Sequence, residues 1–418
     1  MNTDEFPDRP ARPGSLIPPA TINNVAHLLS QRGITCRYNE VCKRTEIDIP
    51  GHTGTSENFD NVTMTAIVSL AAQHGMPTGH IGEYVHAIAD SNAYNPVAEW
   101  IRSQPWDGLD RFPDIAATIV EQDDYPKHLK AILLRKWLRS AAAAAIKPKY
   151  KGRGVLTFQG AQGIGKTSWV KALVSDPKLR DAVVKLDHHL DGNNKDSQLG
   201  AIANWIVEIG ELDSSFKRDI ARLKGFITAD SDRVRRPYAR SVSVYDRRTL
   251  FVATVNDPNF LVDPTGNSRW WTIAADKLDY SHTIDMQQVY AQMGAEVLSG
   301  EPWWLNDHEE AALADWNSRH VATSVVADLV EPHLELDPAR QKNIAVITPT
   351  ELLKVAGISH PSNSQARECG AMLRDLFGSP KRIRGRDKWK VPLVEPTAAD
   401  LKEGRKGETL KTAIPEIF

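Results

Sequence analysis

The chain has 418 residues, 41% of them hydrophobic and 25% charged, with a formal net charge of −2. That is an ordinary globular composition with room for two or three domains. The near-neutral balance excludes general affinity for nucleic acid, so any basic surface must be local. No apolar run approaches the roughly 20 residues that a membrane helix needs, and an N-terminus carrying Asp4, Glu5 and Asp8 is not a signal peptide. Three cysteines, Cys36, Cys42 and Cys369, form no metal pattern and no even framework, which fits a reducing cytosol.

Residues 1–20, with Pro7, Pro10, Pro13, Pro18 and Pro19, read as a flexible leader. Apolar positions at helical spacing predict a helix over Thr21 to Gln31. Short strands at Thr35 to Asn39 and Thr45 to Ile49 follow, then helices over Met64 to Gln73 and Ile81 to Ala89. Residues 21–92 are thus expected to be a small α+β domain. Asn95-Pro96 and Asp107-Gly108 are turn signals, and Trp106 reads either as a linker anchor or as core. Helices are expected to fill Phe112 to Ile146, closing a helical lead-in over residues 93–150.

The central motif is Gly160-Ala161-Gln162-Gly163-Ile164-Gly165-Lys166-Thr167, which fits G-x-x-x-x-G-K-[ST]. A β-rich run, Val155 to Phe158, precedes it and a helical run from Ser168 to Val174 follows, which is the context the motif requires. Glycines at 160, 163 and 165 let the backbone, with Gln162, Ile164 and Ser168, turn its N–H groups onto phosphate oxygens. Lys166 is expected to reach the β- and γ-phosphates of ATP, and the Thr167 hydroxyl to hold Mg²⁺. Residues 151–320 are assigned to this nucleotide domain.

An apolar strand over Ala203 to Ile209 ends at Gly210-Glu211, where a carboxylate should orient Mg²⁺ or the attacking water. Glu211 is assigned as the catalytic base. Glu208 is assigned as a second carboxylate acting on Mg²⁺, through water if not directly, and a structural ion pair for either of them stays open. From Lys217 to Arg248 ten Lys/Arg stand against four Asp. Lys224, Arg233, Arg235, Arg236, Tyr238 and Arg240 are the expected nucleic-acid contacts there, with a solvated charged loop as the competing reading. Asn256 ends the strand Thr249 to Val255 and is a candidate sensor of the γ-phosphate. Arg269, before the strand Trp270 to Ala274, is a candidate finger for a neighbouring subunit's nucleotide.

Helices are expected over Val289 to Leu298 and Glu309 to Arg319, and the acidic, proline-containing stretch within residues 321–347 reads as a linker. Residues 348–394 predict two helices and a basic hairpin with Arg384, Arg386 and Lys388. That is a small winged-helix-like DNA-binding module, unless the hairpin merely closes a domain. Residues 395–418 read as a flexible tail.

This ordered series resembles the virulence-associated E family of phages and mobile elements, and more distantly superfamily-3 and poxvirus-type primase-helicases. The residues that carry the resemblance run from Asn95-Pro96 and Trp106-Asp107-Gly108 through the phosphate loop and Trp205 to Leu212. They continue through Leu223 to Phe226, Arg236-Pro237-Tyr238 and Thr254-Val255-Asn256 to Phe260 to Asn267. The resemblance implies an α/β, additional-strand P-loop NTPase core with the basic segment on DNA. Its pattern has two arginines after Gly266-Asn267; Ser268 replaces the first, leaving Arg269, with Arg236 or Arg240 as alternatives. It also implies an ATP- and Mg²⁺-dependent helicase or translocase, a ring (hexameric) homo-oligomer on single-stranded or forked DNA in the cytoplasm of a bacterial host. The segment before residue 92 is too short for a primase domain. The alternatives are an ATP-hydrolysing regulatory or defence switch without unwinding, and a small-molecule P-loop kinase, against which the Trp-Trp strand and the basic insert count.

Overall fold

A computed structural model describes residues 6–12, 15, 17–51, 59–190, 194–210, 225–234, 243–261, 267–320 and 325–394. The chain forms two compact units, residues 1–321 and 322–418. Its strands are β1 Thr35–Asn39, β2 Arg44–Asp48, β3 Ala93–Tyr94, β4 Ile119–Glu121, β5 Val155–Gln159, β6 Val184–Lys185, β7 Ile206–Ile209, β8 Ser231–Val234, β9 Ser243–Asp246, β10 Leu250–Val255, β11 Trp270–Leu278, β12 Asn343–Ile347, β13 Lys381–Ile383 and β14 Arg386–Leu393. The α/β class expected from the sequence is the class observed.

The first unit begins with a layer that has its own core. Helices Ile22–Gln31, Phe59–Gln73 and Ile81–Ser91 flank a sheet of order β2-β1-β3. Thr21 caps the first helix by accepting from Asn24 N, and Val25, Leu28 and Leu29 recur at the spacing that buries one face. The leader is partly engaged: Phe6 is buried in this core, and Thr21 Oγ1 donates to Asp8 Oδ2 at 2.6 Å. An apolar side chain among the prolines was enough to dock it.

The central sheet has the order β4-β11-β5-β10-β7-β6. All its pairs are parallel except β11 with β4. Its middle strands are buried on both faces, as parallel strands covered by helices must be. Residues 112–146 were expected to be filled by helices; the helices are Phe112–Ala117 and Lys127–Ile146, and strand β4 stands between them. The apolar spacing of Ile119-Val120 fits either period, and pairing with β11 decided it. A helix, Lys195–Ile202, capped by Asn194, precedes β7. Residues 204 and 205 stand before β7 rather than in it; Trp205 Nε1 donates to Ala141 O at 3.1 Å. The alanine run Ala141–Ala145 is buried, and side chains that small bring the helix close enough to the sheet for that bond.

Asn95, whose sequence reads as a turn, caps helix Pro96–Arg102. Trp106 is neither core nor deeply anchored: it is 38% exposed and its Nε1 donates to Leu109 O at 2.8 Å. Strands β8 and β9 form an antiparallel hairpin whose root is held by a bidentate pair, Arg247 Nε and Nη2 to Asp232 at 2.6 and 2.5 Å. Arg248 Nη1 donates to Ala144 O and Lys147 O. Two of the ten basic residues of that segment are thus structural.

The second unit packs helices Pro349–Val355 and Asn363–Phe377 on a sheet of order β12-β14-β13. Residues 325–347, expected as linker, instead supply helix Val325–Val330 and β12, and Val326, Val330 and Leu334 enter this unit's core. Their acidic neighbours lie outside the apolar positions, so composition masked an amphipathic pattern. The hairpin turns at Arg384-Gly385, both at positive φ, 52° and 79°, the geometry of a two-residue turn that matches strand twist.

Candidate functional site

The site lies at the C-terminal edge of β5, β10 and β7. Strand β5 runs into the loop Gly160–Gly165, and helix Lys166–Ala172 starts immediately after. Two glycines there are required by space as well as by backbone. A Cβ on Gly160 would meet Ala275 O at 2.2 Å, and one on Gly165, at φ +97°, would meet Leu278 O at 2.7 Å. The helix is locked beneath by Trp169, fully buried, which crosses Phe158 edge-on at 5.1 Å and donates Nε1 to Thr118 Oγ1 at 2.8 Å.

Side chains from β7, from β10 and its end, and from the helix that follows converge on this loop. Lys166 Nζ donates to Gly160 O at 2.7 Å, Ala161 O at 2.8 Å and Asn256 Oδ1 at 2.8 Å. Burial lowers its pKa, against the opposing pull of Glu208. Thr167 Oγ1 donates to Glu208 Oε1 at 2.6 Å, and Thr254 Oγ1 donates to the same oxygen at 3.1 Å. Asp187 N donates to Glu208 Oε2 at 3.3 Å. Glu208 is 1% exposed, so these neutral donors are what permit a carboxylate there. Alternation along β7 turns Ile206 and Glu208 to the face that carries the Lys166 helix, while Val207 and Ile209 face the other core. Strand β10 does the same, turning Thr254 toward Glu208 between β5 and β7.

Lys166, Thr167, Glu208 and Asn256 are thus brought together, around the backbone of Gly160, Gln162, Gly163, Ile164, Gly165 and Ser168. Arg269 is not brought to them. It lies on the turn Asn267–Arg269 before β11; Trp270 pairs with Val155 and Ala274 with Gln159, so the arginine sits at the edge where β5 begins. Its Nε is buried without a hydrogen-bond partner among the described residues. Glu211, Lys224, Arg235, Arg236, Tyr238 and Arg240 lie outside the described residues. Arg233 is exposed on β8, and Arg384 and Arg386 are exposed on the hairpin of the second unit. Lys388 is paired to Glu351 at 3.5 Å.

Two participants escaped sequence reading. Thr254 is a hydroxyl in an otherwise apolar strand, and that polar interruption was the available signal. Asp187 carries no motif around it; it is in the left-handed region at φ 50°, and a Cβ on Gly210 would come within 2.0 Å of its Oδ1. Only glycine at 210 leaves room for it.

A divalent cation fits the donors at hand. One hydroxyl and one carboxylate, oxygen donors only, suit a hard ion that takes its remaining ligands from phosphate and water. Among the described residues no group of three or more His, Cys, Asp or Glu could cage a metal by itself. Among the described residues no helix is long and apolar enough to cross a membrane.

A sequence profile of the virulence-associated protein E-like domain matches residues 101–322. No curated protein matches the chain. Among solved structures it is similar to the apo C-terminal region (305–718) of NrS-1, at 11% identity over 88% of this chain and 98% of that one, with a TM-score of 0.39. It is also similar to the A form of the apo NrS-1 C-terminal region, at 14% identity over 88% and 99%, with a TM-score of 0.38.

Proposed function

The chain belongs to the virulence-associated protein E-like family, whose profile spans residues 101–322, and on that premise we propose that it is an additional-strand P-loop ATPase that works on DNA. The observation that carries the reading is the convergence of Lys166, Thr167, Glu208 and Asn256 on one glycine loop. The order β11-β5-β10-β7 supports it, because one strand separates the loop strand from the acidic strand.

In this reading the loop N–H groups hold the phosphates. Lys166 leaves its carbonyl partners for the β- and γ-phosphates while Asn256 marks the terminal end. Thr167 and Glu208 would hold Mg²⁺, which when bound offsets phosphate charge. The attacking water gives its proton to a carboxylate, Glu211 by position or Glu208 by proximity. Arg269, at the far edge of its own sheet, completes the site of a neighbouring copy, which requires a ring, hexameric by the family resemblance. Arg233 and the exposed hairpin arginines Arg384 and Arg386 are in keeping with a role on single-stranded or forked DNA, and the second unit with a winged-helix-like module. The work is helicase or translocase activity for a phage or mobile element.

The test is ATP hydrolysis with and without single-stranded DNA, at low and moderate salt, with particle mass measured in nucleotide. Stimulation by DNA that fades with salt, in a ring-sized particle, is the expected result. Hydrolysis indifferent to DNA in a monomer or dimer would point to a regulatory or defence switch instead. Lys166→Ala should abolish hydrolysis; turnover close to wild type in that variant would remove the ATPase reading altogether.

A further inference from the structure

Lys166 Nζ meets Asn256 Oδ1 on the flank of β5 that faces β10 and β7, where Glu208 also stands. A nucleoside triphosphate with its terminal phosphate on that flank must send its nucleoside the other way across the loop. The strand on that other flank is β11.

At the last residue of β11 and just past it the chain is tied to the loop and its surroundings. Leu278 N donates to Ile164 O at 2.9 Å, and Asp279 N donates to Thr118 O at 2.8 Å. Asp279 Oδ1 in turn accepts from Ser281 N at 3.0 Å and Ser281 Oγ at 2.7 Å. Between these fixed points stands Tyr280, 53% exposed. Its ring lies over Gly165, the residue before the loop lysine; a Cβ there would come within 2.8 Å of Tyr280 Cδ1. A large aromatic side chain held by its neighbours, yet half open to solvent, has contact area to offer a ligand at low conformational cost.

We propose that Tyr280 is the platform on which the nucleobase stacks, an inference that rests on reading Gly160 to Ser168 as a phosphate loop. Stacking needs only a π-face, so Tyr280 should favour nucleotides over bare polyphosphate while discriminating weakly among bases. The phenol hydroxyl is dispensable on this account, and the ring is not.

The experiment is equilibrium competition with ATP, ADP and inorganic tripolyphosphate in Mg²⁺, on wild type and on Tyr280→Ala, Tyr280→Phe and Tyr280→Trp. Tyr280→Ala should weaken ATP and ADP about tenfold, within the range of one base–aromatic stack. Tripolyphosphate binding should stay within about twofold, as should kcat, with the loss appearing in KM. Phe and Trp should retain wild-type ATP affinity. Unchanged ATP affinity in Tyr280→Ala overturns the proposal, as does an equal loss for ATP and tripolyphosphate, which would mean the ring merely props Gly165. A wild type that binds tripolyphosphate as tightly as ATP also overturns it while sparing the phosphate loop. A wild type that binds neither removes the loop reading and this proposal together.

Discussion

Burying a carboxylate costs several kcal/mol unless donors replace its water, and Glu208 obtains them from Thr167, Thr254 and the backbone of Asp187. None of these donors is a cation, so its charge is kept for whatever enters the loop. The two glutamates should therefore separate by phenotype. Glu208→Gln should weaken Mg²⁺-dependent ATP binding about tenfold or more, since it removes a charged partner of the Thr167 hydroxyl. Glu211→Gln should leave binding intact and lower kcat by at least about a hundredfold, the usual scale for a lost general base. Titration of ATP binding against Mg²⁺, with single-turnover hydrolysis, distinguishes them. The reverse pattern would exchange their roles.

The elements that carry the site are braced from behind by helix Met286–Leu298. Glu296 on that helix takes Arg135 Nη2 and Arg139 Nε, each at 2.5 Å, from helix Lys127–Ile146. Burial works to raise the Glu296 carboxyl, but hydrogen bonds from Arg135 and Arg139 outweigh it and hold the pKa below its ordinary value of 4.5. A lowered folded pKa means stability that is present in full above 4.5 and lost as pH falls through the folded value. Glu296→Gln should cost about 2 kcal/mol at pH 7, less than a fully buried pair because Arg135 is a third exposed. The difference between variant and wild type should shrink as the pH falls below 4.5 and the native carboxylate is protonated. Thermal melts of both proteins across pH 3–7 check the sign; a difference constant with pH would mean that the bridge does not govern the pairing of these helices.

At the scale of the molecule, residues 1–321 and 322–418 each have a core of their own. Differential scanning calorimetry should resolve Glu296→Gln as a shift confined to the transition of the first unit. Arg269 carries the test of assembly. Its position at the opposite sheet edge from Lys166 means that Arg269→Ala should bind ATP normally but not hydrolyse it. Mixed with Lys166→Ala, which keeps Arg269 but not the loop lysine, it should regain a measurable fraction of wild-type turnover. No recovery on mixing would place the finger elsewhere, with Arg236 and Arg240 next.

The loop, its strand and its helix were legible in the amino-acid sequence because their physics is local: glycines at fixed spacing, an apolar run before, a lysine and a hydroxyl after. The helices of the first layer and the basic hairpin were legible for the same reason, since periodicity and turn residues act over a few positions. Local signals could not report which strand lies beside which. Only the sheet order put Thr254 and Asn256 between the loop and Glu208, turned β4 from helix to edge strand, and carried Tyr280 back over Gly165. Composition likewise called residues 325–347 a linker, whereas burial of Val326, Val330 and Leu334 made them part of a core. The difference is one of range: propensity and spacing set what each segment can be, and the burial of faces against distant partners decides what it becomes.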